Sequence, residues 1–291
     1  MKTAPRGKRA TGFTLIEIVM VLLIFSIVVA MAAAITRGVV ASQKRSLTST
    51  RMAGIDAALA QFVQQQRRLP CPADGTLPNT DNNAGVEGPR NAGGCTGTQQ
   101  NGVVPFRVLA LTETDATDGW DRRLTYRVDP LLGADGGMNM SWCDPAGTEG
   151  GVTPRPVCNA GCVSTNMALC TPPVDFLRGR GLMVKNIAGA ILMDPQAATA
   201  LPPTGAAYVL TSHGETGGGA YLGGGTLAAS AIGEGNEEMK NYASLPFTPG
   251  VTYYLDDSLM EAAGVTHFDD VVSRPSILSV SSKAGLAPRT H

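Results

Sequence analysis

The chain has 291 residues, with 23 Lys and Arg against 24 Asp and Glu. Beyond residue 12 the balance is 19 basic residues to 24 acidic ones, a formal net charge of −5, and such an acidic surface argues against a nucleic-acid binder. Gly and Pro number 35 and 19 and only 16% of residues are charged, yet 43% are hydrophobic, so the composition excludes a disordered chain and reads as a loop-rich folded one.

Residues 1–12 form a basic leader with Lys2, Arg6, Lys8, Arg9 and no acid. An apolar run follows from Phe13 to Ile35, FTLIEIVMVLLIFSIVVAMAAAI, interrupted early by Glu17. Four cations ahead of a membrane-length run place the leader on the cytoplasmic side. A carboxylate inside such a run costs roughly 2.5–3.5 kcal/mol on insertion scales, which makes Glu17 a functional residue by default. A secretory signal has its small-residue cleavage site after the apolar stretch. Here Gly12 comes before it, so cleavage at that point keeps the helix.

Gly12-Phe13-Thr14-Leu15-Ile16-Glu17 closely resembles the class III signal of type IV pilins and type II secretion pseudopilins. The resemblance implies cleavage between Gly12 and Phe13 by prepilin peptidase and N-methylation of Phe13. It also implies a pairing of Glu17 with the Phe13 amine of a neighbouring subunit. Neither charge is stable alone in hydrocarbon, whereas together they neutralise each other and set axial register. The partners implied are other pilin or pseudopilin subunits, the prepilin peptidase, and an inner-membrane assembly platform driven by a cytoplasmic ATPase. The plain alternatives are a bare membrane anchor or an uncleaved signal.

The helical pattern continues over residues 36–69. Val40, Leu47, Met52, Ile55, Leu59, Phe62 and Val63 mostly recur at steps of three, four or seven and form one apolar stripe. Pro70 ends it, because the residue before a proline is pushed out of the α region. A continuous helix from Phe13 to Arg68 would be ~84 Å long at 1.5 Å per residue. Many pilins carry a proline midway along the membrane part; Ala34 holds that position here, and Gly38 is a candidate weak point.

Six cysteines follow the anchor, on the oxidising periplasmic side if the leader is inside. They allow 15 pairings. Proximity favours Cys71–Cys95 and a cluster among Cys143, Cys158, Cys162 and Cys170. A zinc ribbon is the lesser reading, because Cys158-x3-Cys162 lacks the C-x2-C spacing and no His lies nearby.

Residues 71–102 read as loop. Asp118-Gly119-Trp120-Asp121 precedes the alternating segment Arg123 to Val128, which is rich in strand formers. In pilin-like proteins a similar block marks entry into the sheet, with glycine usual where Asp121 stands. Residues 129–181 suggest a disulfide-tied insertion. Gly181 to Lys185 is a candidate short strand, and Ala206 to Ser212 is a buried one ending at His213-Gly214. Phe268 to Val272 resembles the last strand of many pseudopilin-like sequences, and the tail from Ser281 to His291 reads as frayed.

Gly214 to Gly219 lacks the Lys-Ser/Thr of a phosphate loop. Ser212-His213 with a nearby Asp lacks the G-x-S-x-G elbow, and adjacent residues on one strand face opposite ways, which argues against a hydrolase triad. Some pseudopilins hold calcium in the loop before the last strand. On that resemblance Asp256, Asp257, Asp269 and Asp270 are calcium candidates, set against the simpler reading of solvated turn acids, since no EF-hand spacing is present. No other cofactor is expected.

The expected architecture is α+β and pilin-like. A leader (1–12), a transmembrane helix (13–35) and its amphipathic continuation (36–69) precede a periplasmic domain (70–291) with an antiparallel sheet. The expected function is a non-enzymatic structural subunit, minor by virtue of its large domain, in a type IV pilus or a type II secretion pseudopilus. It would sit in the inner membrane before assembly. The rival is a periplasmic binding protein or enzyme anchored by a pilin-like leader.

Overall fold

The computed structural model describes residues 15–96, 99–138, 177, 179–196, 205–230, 235–248, 250–260 and 267–286, and for residues 32–37 the backbone alone. Gly12, Phe13, Cys143, Cys158, Cys162 and Cys170, with most of the expected insertion, lie outside the described residues. The chain divides into two compact units, Met1–Gln43 and Lys44–His291.

Helix α1, Leu15–Gln66, begins in the first unit and runs without interruption through Gly38. Its side chains from Leu15 to Met31 are exposed. Among the described residues no helix is long and apolar enough to cross a membrane. The described apolar side chains from Leu15 to Met31 account for ~25 Å of helix, short of a hydrocarbon core about 30 Å thick. The expected span from Phe13 to Ile35 needs Phe13 and Thr14, which are not described, and residues 32–35, described by backbone alone.

In the second unit α1 buries the stripe Met52, Ile55, Leu59 and Val63. The helix closes at Arg67, whose φ of 56° turns the chain into the left-handed region while its N–H still reaches Val63 O at 2.8 Å. The stripe packs on a five-stranded antiparallel sheet in the order β1–β4–β6–β9–β12. Its strands are β1 Ala73–Asp74, β4 Gly102–Val103, β6 Thr125–Val128, β9 Tyr208–Ser212 and β12 Val271–Ser273. Between them lie the short hairpin of β2 Arg90–Asn91 with β3 Gly94–Cys95, and β5 Arg122–Arg123, which pairs with β10 Tyr221–Leu222. The protein is thus α+β, with an N-terminal helix on an antiparallel sheet.

Strands β6 and β9 alternate between two buried faces. Tyr126, Val128, Tyr208 and Leu210 join the helix-side core, whereas Val209 belongs to a second core on the far side. Burial on both faces is why β9 reads as an unbroken apolar run. Polar contacts help set the helix: Asp56 accepts from Tyr208 Oη at 2.8 Å and Ser273 Oγ at 3.1 Å, Thr48 Oγ1 accepts from Gly119 N at 2.9 Å, and Arg51 donates to Asp118 O at 2.8 Å. Gly119 has to be glycine, since a Cβ there would lie 2.3 Å from Lys44 O.

Cys71 and Cys95 form a disulfide across 24 residues. The stretch read as loop, 71–102, contains three two-residue strands and the start of a fourth, which pattern reading cannot see. The Arg123–Val128 segment breaks in two at Leu124, whose N–H bonds to Ala116 O at 3.0 Å instead of joining the ladder. A second sheet was not foreseen. In it β7 Met183–Lys185 is central, antiparallel to β8 Ile191–Met193 and parallel to β11 Tyr253–Leu255. Of the tail expected to fray from Ser281 to His291, the described part to Leu286 instead continues a helix, α2 Ile277–Lys283, capped by Ser276 and buried through Val280 and Ser281, with Leu286 packed after it, and residues 287–291 lie outside the described residues.

Leu59 is fully buried between the helix and the sheet. Leu59→Ala should lower unfolding stability by about 2–5 kcal/mol, through lost transfer energy plus a cavity; the shift in denaturant midpoint at unchanged slope measures it.

Candidate functional site

Glu17, the candidate assembly residue, lies in the first turn of α1. A carboxylate there is favoured by the partial positive charge at a helix N-terminus. It stands among apolar side chains on every face of the helix. Even the least exposed large one between Leu15 and Met31, Ile27, is 47% accessible. A helix hydrophobic all round is suited to hydrocarbon or to the interior of a bundle, and not to water. This end is therefore suited to packing against apolar neighbours.

The second unit holds a buried polar seam on the far face of β6 and β9. Thr125 Oγ1 lies 2.8 Å from His213 Nε2, and His213 Nδ1 lies 3.8 Å from Asp270 Oδ1. Asp270 Oδ2 accepts from Asn241 Nδ2 at 2.8 Å, and Asn241 is also bonded to both backbone polar groups of Leu255. Arg127, 1% exposed, donates to Ala243 O at 2.6 Å and Leu245 O at 2.8 Å, and to Gln99 O. Burial lowers its pKa. Burial likewise drives His213 down to about 3, with Arg122 pushing the same way, so the ring is neutral.

His213 therefore sits with Thr125 and Asp270 in an order reminiscent of a triad, while Ser212 turns the other way and donates to Asp118 Oδ2 at 2.8 Å. Thr125, His213 and Asp270 are all buried. A nucleophile shut away from solvent cannot meet a substrate, so the arrangement ties strands together. Asp118 collects the N–H groups of Trp120 at 2.8 Å and Arg122 at 3.0 Å, and burial raises its pKa against those bonds. The turn they close puts Asp121 at φ 62°, in the left-handed region that glycine occupies most readily and that aspartate tolerates.

The four calcium candidates are not brought together. Asp256 is ion-paired with Arg274 at 2.5 Å, and Asp257 accepts from Ile187 N at 3.1 Å and Ser258 N at 2.7 Å. Asp270 is engaged in the seam. Among the described residues one group of three metal-capable side chains occurs, Glu238, His267 and Asp269, and only Asp269 was a sequence candidate. His267-x-Asp269 was legible as an alternation; Glu238, 29 residues before His267, carried no local signal. Burial raises the Glu238 pKa, opposed by bonds from Asp269 N and His267 and assisted by the Asp269 carboxylate.

A cavity of about 510 Å³ is lined, among the described residues, mainly by apolar groups including Leu131, Leu182, Met183, Phe247 and Val251. Asp129 borders it, but its oxygens accept from Leu131 N at 2.9 Å and from Gly181 N, so this carboxylate is engaged by backbone.

Comparison with known proteins bears on the N-terminus. The family profile described as "Prokaryotic N-terminal methylation motif" matches residues 7–33. The chain carries a type IV pilin and pseudopilin signal. A prepilin-type signal of this kind goes with processing by a prepilin peptidase, with membrane anchoring and with assembly among pilin-type subunits. No curated protein and no solved structure is significantly similar to the chain.

The buried neutral His213 gives a pH signature. An unfolded chain takes up the His213 proton below pH 6.5 while the folded chain resists it until about 3. The contribution of the neutral ring is thus complete above pH 6.5 and is lost as pH falls, at roughly 1.4 kcal/mol per unit. Between pH 7 and pH 5 the wild type should lose about 2 kcal/mol more than His213→Gln, read from denaturant unfolding at both pH values.

Proposed function

We propose that this chain is a structural subunit of a type IV pilus or type II secretion pseudopilus. The observation that carries the reading is the prepilin-type signal at residues 7–33, continued by a helix whose described N-terminal side chains are apolar on every face. On this reading the peptidase removes residues 1–12, and Phe13 becomes the N-methylated first residue. The helix from Phe13 to Ile35 first holds the chain in the inner membrane with the remainder in the periplasm. It then leaves the bilayer for a filament in which neighbouring helices replace lipid. Glu17 pairs with the Phe13 amine of the adjacent subunit, so each added copy is set to one axial register.

The Lys44–His291 unit is the displayed domain. Its size supports a minor or tip position, since a shaft repeats compact units. A disulfide between Cys71 and Cys95 suits an oxidising compartment. The rival reading, an anchored binding protein or enzyme, would need converging polar groups in the cavity, and Asp129 is engaged by backbone there.

Mass spectrometry of the N-terminus in cells with and without the prepilin peptidase tests the processing. A mature chain starting at N-methyl-Phe13 is expected, and full-length precursor should accumulate without the enzyme. An unprocessed terminus in the presence of the peptidase would refute the reading. For assembly, Glu17→Ala should insert into the membrane normally yet be depleted at least tenfold from sheared filaments, measured by quantitative immunoblotting. Wild-type incorporation would remove the role given to Glu17.

A further inference from the structure

His267 and Asp269 flank Phe268 just before β12. Alternation along an extended segment turns both to one side and the fully buried Phe268 side chain to the other, while the Phe268 backbone pairs with Met260. Glu238, at the start of the 3-10 turn Glu238–Asn241, meets them from a separate segment. One ligand atom from each of the three residues lies within 4.8 Å of the others, and Glu238 Oε2 is 2.8 Å from His267 Nδ1. Two carboxylates thus share one buried site.

The surroundings orient these groups without neutralising them. Asp269 Oδ2 accepts from Glu215 N and Thr216 N, both at 2.8 Å, and Oδ1 accepts from Thr216 Oγ1 at 2.9 Å. Glu238 Oε1 accepts from Asp269 N at 2.6 Å, and Oε2 from Gly235 N at 3.3 Å. These are neutral donors. They fix both carboxylates in the way that outer partners fix metal ligands, and they leave lone pairs on Asp269 Oδ1 and on Glu238. Two like charges side by side in a buried site call for a shared proton or a cation. Asp269 and Glu238 are 4% and 1% exposed, whereas His267 reaches 9%, giving the group one edge toward solvent.

We propose that Glu238, His267 and Asp269 form a binding site for a divalent zinc ion, with water completing its coordination. An imidazole nitrogen beside two carboxylate oxygens suits zinc, while calcium and magnesium favour oxygen alone. The ion would replace the His267–Glu238 hydrogen bond, clip the 3-10 turn to the segment entering β12, and offset the paired negative charges. This site differs from the four-aspartate calcium set in residues and in ion, sharing Asp269 alone.

The test is titration of the metal-stripped, solubilised full chain with zinc chloride, by calorimetry and by competition with a chromophoric chelator, together with thermal melting. One zinc per chain at micromolar affinity or tighter, with a raised Tm, is expected; millimolar calcium should leave the Tm unchanged. Glu238→Gln and Asp269→Asn, which preserve shape, should each weaken zinc binding at least tenfold, and His267→Ala should do the same. Cobalt(II) as a spectroscopic stand-in should give ligand-field bands without the strong sulfur charge-transfer band of cysteine coordination. That spectrum on wild type keeps the test decisive if a variant fails to fold. Absent saturable zinc binding, equal binding by the folded variants, a thiolate band, or a calcium response in place of a zinc response would each overturn the proposal.

Discussion

Strands β6 and β9 pair through four registers, from Thr125↔Thr211 to Val128↔Tyr208, and are covered on both faces. Every group they carry must therefore find its partner inside the protein. On the helix side the solution is apolar, with Tyr126 and Tyr208 rings 5.8 Å apart beneath the Ile55 and Leu59 stripe. On the far side it is polar. Thr125 finds His213, Arg127 finds four backbone carbonyls, and the loop bearing Asn241 closes over them. The long irregular segments of this unit are held in place largely by what the sheet's second face demands.

That second face also shows where reading a sequence stops. The α1 stripe was legible because 3.6-residue periodicity is a local property, and Val209 with its neighbours was legible because a doubly buried strand is a plain apolar run. Asp121 could be located but not interpreted until its left-handed backbone was visible. The two-residue strands β1 to β5 have no period to detect. The capped helix α2 was missed because Ser276 to Lys283 is rich in serine, and its burial depends on a core assembled from distant residues.

For the candidate sites the division is similar. Gly12 to Glu17 form a linear signal, so one glance at the order of small residue, apolar run and acid is informative. The calcium candidates do not form one metal-capable group among the described residues, because each engages a different partner: Asp256 pairs with Arg274, Asp269 accepts from the Glu215–Thr216 backbone, and Asp270 from Asn241. Glu238 could not be anticipated, since only the fold brings it to His267.

The parallel pairing of β7 with β11 carries a consequence in time. Met183 lies beside Tyr253, and the two strands run the same way, so the small sheet cannot close until the whole intervening segment, β8 to β10 included, has been made. The β1–β4 and β4–β6 pairings, by contrast, join segments only tens of residues apart. Loop-closure entropy delays contacts of long sequence separation. A chain emerging from its N-terminus would thus order α1 and the β1–β4–β6 strands early, and would complete the β6–β9 pairing, the β12 edge and this small sheet late. Through that interval Leu182, Val184 and Tyr254, all buried in the finished protein, stay open to solvent and to whatever else is near.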